Sequence, residues 1–164
     1  MLKYGVEALL PKDIAADDDT GYEEALAAAI TPIDRDRELL IVNTAEERDT
    51  AIAVLERHGV EYEAFELLRL PGQAEATQLF PDYGFIAASG AAYAYGYLCA
   101  VFKLESAGAD AGPGQAEAQM SEHVIARFGA NGQRLFLTDR SLNDLIRGIA
   151  KAYRCTVEFV YGDA

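Results

Sequence analysis

Cysteine occurs only twice in the 164 residues, at Cys99 and Cys155. Two thiols so far apart cannot build a disulfide scaffold, and they lack zinc-ligand spacing. Both lie in apolar runs, which favours buried free thiols. Histidine is equally scarce, at His58 and His123, so few side chains can serve as bases near neutral pH. No phosphate loop, dinucleotide fingerprint, nucleophile elbow or metalloprotease helix is present. Cys99 makes a nucleophile–base pair with a histidine only where the fold joins them. The chain leans away from an enzyme, and neither cofactor nor metal is expected. A charged-then-apolar leader is also lacking, so a cytoplasmic protein is expected.

Positive charge is short as well. Lys and Arg total 14 against 27 Asp and Glu, a net charge of −13. The deficit is uneven, with 17 acids and 6 bases in residues 1–66. Direct nucleic-acid binding needs a cationic footprint, so it is not expected. A basic protein partner is the electrostatic complement. Solubility alone, or salt adaptation with four Lys beside ten Arg, explains an acidic chain equally simply.

Charge of either sign is missing from residues 83–102. The run is long enough to span a bilayer, but its Tyr, Gly and Ser are weak drivers of insertion, and no membrane span is expected. Within it Tyr93, Tyr95 and Tyr97 alternate with Ala94, Gly96 and Leu98. Period two argues a strand continuing through Cys99, Val101 and Lys103, with residues 85–89 as its hairpin partner across Gly90. An Ala-rich helix over 91–103 is the competing reading. The tyrosine row is either a platform for an aromatic ligand or partner, or a layer packed beneath a helix.

What organises the chain is residues 38–66. Residues 39–42, Leu-Leu-Ile-Val, read as a strand buried on both faces. Thr44 and Glu47 form a capping box. Ala51, Ile52, Val54 and Leu55 share one side of the helix that follows, and Gly59 is its left-handed stop. Residues 60–66 then alternate until Phe65, where a bulge or strand end is expected. If the two strands are parallel, a right-handed crossover joins them.

The flanks are read less sharply. Residues 1–12 are a strand or a packed arm. Asp17, Asp18 and Asp19 are contiguous, whereas a calcium loop needs acids at alternate positions. Loop and cap is the better reading, with Thr20 and Glu23 boxing a helix over 22–30. Asp34 to Arg37 reads as a solvated connector. Residues 74–80 form a turn or two of helix between Gly/Pro breaks. Residues 106–114 read as a mobile loop, and 115–128 as helix, with a hairpin turning at Asn131-Gly132 as the alternative. A final helix begins near Asp139 or Ser141, with Leu142, Leu145, Ile146, Ile149, Ala152 and Tyr153 sharing one face. Its opposite face carries Arg140, Arg147, Lys151 and Arg154, with Asp144 pairing distance away. Residues 156–161 close as a strand.

The expected fold is one α/β domain over 1–164, with α+β as a variant: a two-layer sandwich of mixed sheet and three to four helices, of ferredoxin-like character. Function divides two ways. In the first, an acidic interaction module of inhibitor, immunity or regulatory type meets a basic, nucleic-acid-handling protein. It would use Asp17, Asp18, Asp19, Glu23, Glu24, Asp34, Asp36, Glu46, Asp49 and Glu56. In the second, a ligand-binding or enzymatic domain holds an anionic or aromatic molecule near Tyr93, Tyr95, Tyr97, Arg140, Arg147 and Lys151. A homodimer is compatible with either, the basic stripe meeting the acidic half of a second copy.

Overall fold

The computed structural model describes residues 1–10 and 21–163. Its α/β content is arranged as two compact units. One comprises residues 1–69 with 86–91, the other 70–85 with 92–164.

The first unit is built around β1 (Leu2–Leu9), β2 (Asp34–Asp36), β3 (Leu39–Val42) and β4 (Glu61–Arg69), with helices α1 (Tyr22–Ala29) and α2 (Ala45–Arg57). Its strands run in the order β2-β3-β1-β4, each antiparallel to its neighbour. Thus β3 and β4 are parallel but separated by β1, so the strand–helix–strand read from the sequence is a split unit. The chain order β-α-β-β-α-β with this strand order is the ferredoxin-like arrangement. The opening residues are therefore a central strand rather than an arm.

Local signals explain the pieces. Thr44 Oγ1 accepts from Glu47 N at 3.1 Å and caps α2. Gly59 takes φ 67° just past the helix end, a region where a side chain would be strained. Both helices lie on one face of the sheet, where Val6, Leu40 and Val42 meet Tyr22, Leu26, Val54 and Leu55. The bulge expected at Phe65 is absent. Register with β1 is continuous from Leu68 to Glu61, because β4 has apolar positions on each face, Phe65 opposite the helices and Tyr62 beneath them.

Two expectations are corrected here. The solvated connector is a strand, with Asp34 only 8% exposed. The cap of α1 is Gly21, at φ 74°, with no side-chain bond to the helix. Thr20 and Asp17–19 lie outside the described residues.

The second unit repeats the plan. Its strands are β8 (Cys99–Ser106), β9 (Val124–Ala130), β10 (Gln133–Asp139) and β11 (Cys155–Tyr161), with helices α3 (Pro113–Met120) and α4 (Asn143–Ala152). Together with β5 (Glu75–Ala76), the order is β11-β8-β10-β9-β5. The chain order β8-α3-β9-β10-α4-β11 again gives the ferredoxin-like arrangement. Met120, Ile146 and Ala150 pack on Phe102 and Phe136. Both readings of residues 115–128 prove partly right, since α3 leads into a hairpin turning at Asn131 and Gly132, both at positive φ. Residues 107–112 form a turn tied at both ends, Ala107 N to Arg154 O and Gly112 N to Tyr153 O. The charge-free run is strand. β6 (Gly84–Ile86) pairs with β7 (Ala92–Tyr95), and a turn at 96–98 leads into β8. No helix among the described residues is long and apolar enough to cross a membrane.

Candidate protein-interaction surface

Charge compensation differs sharply between the two units. In the second, most acids are matched. Lys103 holds Glu105 at 3.1 Å and Glu158 at 2.9 Å. Glu117 meets Arg134 at 2.7 Å, and Asp110 meets Arg154 at 2.8 Å. Arg147 takes Asp144 at 3.2 Å and also Asp163.

The described part of the first unit has 13 acids and 6 bases. Asp49 pairs with Arg48 at 3.0 Å, and that bond raises the Arg48 pKa. Glu56 accepts from Tyr62 Oη at 2.8 Å, which raises the tyrosine's pKa. By contrast Glu24, Glu46, Glu61 and Glu63 are exposed and have no ion pair among the described residues. Glu23 is likewise exposed and, among the described residues, accepts from Tyr22 Oη at 3.4 Å.

The geometry sorts the predicted acids. On α2, Glu46, Asp49 and Glu56 are exposed on the side away from Ala51, Val54 and Leu55. Glu23 and Glu24 are exposed in the first turn of α1, which packs beside α2 on the same sheet face. These five form the helix-side group. Asp36 falls on the opposite sheet face, in register with Leu39.

Asp34 is no surface contact. Its carboxylate accepts from Arg35 N at 2.9 Å, from Ser89 N at 3.1 Å and from Ser89 Oγ. Burial without such donors would be costly, so Asp34 serves to hold residues 86–91 on the first unit.

Glu7, Glu61 and Glu63 were missed as site candidates. Glu7 stands directly across from Glu63 in the β1–β4 ladder, a like-charge pair that disfavours folding in the absence of a cation. The alternation of residues 61–66 had marked Glu61 and Glu63 as outward. Glu7 needed the strand assignment of β1.

Four of the six residues of the ligand reading, Tyr93, Tyr95, Arg140 and Arg147, are engaged in contacts of their own. Tyr93 is fully buried and stacks on Phe85 at 5.7 Å, Tyr95 also meets Phe85 at 5.5 Å, and Tyr97 is 57% exposed in a turn. The turn at 96–98 interrupts the row, so it is not a flat platform. Arg140 donates to the carbonyls of Gly96 at 2.9 Å and Cys99 at 3.2 Å. Arg147 is doubly paired, and Lys151 is exposed.

Nor do nucleophile and base meet in a recognisable pair. Burial pushes the Cys99 thiol up to about 12, aided by Asp139 and opposed by Arg140. Tyr83 Oη donates to Asp139 Oδ2 at 2.7 Å, and this bond is the main cause of its rise to about 12. Burial raises the Asp139 carboxyl, but bonds from Tyr83 and Ser141 outweigh it and leave it below its ordinary value. His58 Nδ1 lies 2.9 Å from Val54 O at the end of α2, and His123 lies 3.4 Å from Glu122. No group of three or more His, Cys, Asp or Glu among the described residues can hold a metal ion.

No family model, curated protein or solved structure matches the chain.

Proposed function

We propose that the first unit is an acidic protein-interaction module that binds a basic protein, in the manner of an inhibitor, immunity or regulatory protein. One observation carries the reading: the second unit matches most of its acids with bases, whereas the first leaves its helix-side carboxylates largely uncompensated. Unpaired surface charge gives little to folding, but it speeds encounter with an opposite surface and discriminates among partners. From Glu46 to Glu56 the helix rises about 15 Å, roughly the axial length of four base pairs at ~3.4 Å each. A row of carboxylates on that scale suits a surface built to grip nucleic acid.

The test is co-purification from native cells followed by salt titration of the recovered complex. Screening shortens to about 3 Å at 1 M salt, so the complex should dissociate as salt rises. Reversing Glu46, Asp49 and Glu56 to Lys should abolish it without unfolding the chain, since all three are exposed. A complex indifferent to both salt and reversal refutes the reading.

A further inference from the structure

The first unit has a groove of about 180 Å³ between α1 and the β2–β3 side of its sheet. Its floor is apolar: Val6 and Ala8 from β1, Leu40 from β3, Leu26 from α1 and Ile30 just past its end. A dry cavity of ~150 Å³ accepts a benzene-sized body, so the floor fits a branched four-carbon chain or one ring. Its mouth is charged with both signs. Arg35 pairs in register with Leu40 and so lies on the helix side of the edge strand. Glu38 lies beyond it in the β2–β3 turn, and Glu23 on the flank of α1. All three are exposed, and none is in an ion pair with another described residue. A guanidinium and two carboxylates that do not neutralise one another, set around an apolar slot, match a ligand carrying both charges on a small apolar stem.

We propose that this groove binds an apolar α-amino acid, with the side chain on the Leu26, Ile30 and Leu40 floor. The carboxylate pairs with Arg35, the ammonium with Glu23 or Glu38. Charge-assisted hydrogen bonds at both ends select the zwitterion over either half. The groove shares Glu23 with the helix-side acids, but Glu46, Asp49 and Glu56 of α2 do not line it, so reversal of those three separates capture of a protein from binding of the small molecule.

The experiment is titration of the full chain with leucine, 4-methylpentanoate and isopentylamine, followed by amide chemical shifts of β1, β3 and α1. Leucine should saturate at millimolar concentration or below. Each analogue, lacking one charge, should bind roughly tenfold or more weakly, the equivalent of one charged hydrogen bond. Arg35→Ala should weaken leucine by a similar factor and bring it level with isopentylamine. Ala27→Leu, which fills the slot from α1 without touching the charges, should abolish binding while the chain stays folded. The proposal is overturned if leucine gives no saturable shift, if isopentylamine binds as tightly as leucine, or if Ala27→Leu leaves affinity unchanged.

Discussion

Replacing Tyr83 by Phe removes one oxygen and with it the 2.7 Å bond to Asp139. A hydrogen bond to a charged group contributes about 1.5–3 kcal/mol net. Both partners are half-exposed, so water replaces part of the loss and the lower end, about 1.5 kcal/mol, is expected. For a chain of this length that lowers the melting temperature by about 3–6 °C. The pH dependence makes the test specific. Asp139 is held below its ordinary value, so its contribution is complete above the ordinary carboxylate range and is lost as pH falls through the lowered folded value. Tyr83 is raised from 10.0 to about 12, so its contribution is complete below pH 10 and is lost as pH climbs towards 12. The gap between wild type and Tyr83→Phe should therefore be widest between those limits and close at both ends. Urea melts across that range, with Asp139→Asn completing a double-mutant cycle, supply the measurement. A gap independent of pH, or a coupling energy near zero, would refute the reasoning.

Three further outcomes follow from packing and burial. Gly84→Ala should cost about 1–3 kcal/mol or more, because its Cβ would lie 2.2 Å from the Tyr93 carbonyl oxygen and 2.8 Å from the Phe80 ring; an unchanged thermal melt would contradict the close approach. Asp34→Ala should cost about 2–3 kcal/mol and speed amide exchange at Ser89, whose N–H it accepts. Protection at Ser89 that survives the substitution would show another acceptor at work. Cys99, raised from 9.0 to about 12 by burial, should resist aromatic disulfide reagents at neutral pH until the chain is denatured, and prompt labelling of the native protein would sink that expectation.

Periodic segments with strong ends were readable in the sequence. Thr44, the buried side of α2 and Gly59 each carry a local signal; α4 was legible as a helix, but of its expected apolar face only Ile146 is buried, while Leu145 and Ala152 are exposed and Asn143 and Ala150 are buried instead. What could not be read depends on partners far along the chain. Asp34 looks like a surface acid until Ser89, 55 residues on, supplies its donors. Leu2 to Leu9 shows no periodicity because the middle of a sheet buries both faces. Phe65 looked like a defect because only one face was expected to be apolar. Arg140 looked like part of a cationic stripe, yet its guanidinium is spent on two backbone carbonyls. Of the candidate surface, the α2 acids were legible from helical spacing alone. Glu7 was not, since its place opposite Glu63 exists only once β1 and β4 pair.

Residues 86–91 complete the first unit, although they follow the start of the second in the chain. A protease cut or a gene truncation after Arg69 therefore does not release an intact first half. The fragment would keep the Arg35 N–H for Asp34 but lose both Ser89 donors. Splitting this protein into working parts calls for a fragment of 1–69 supplemented by a short synthetic peptide, or for a rearranged gene that brings 86–91 back beside it.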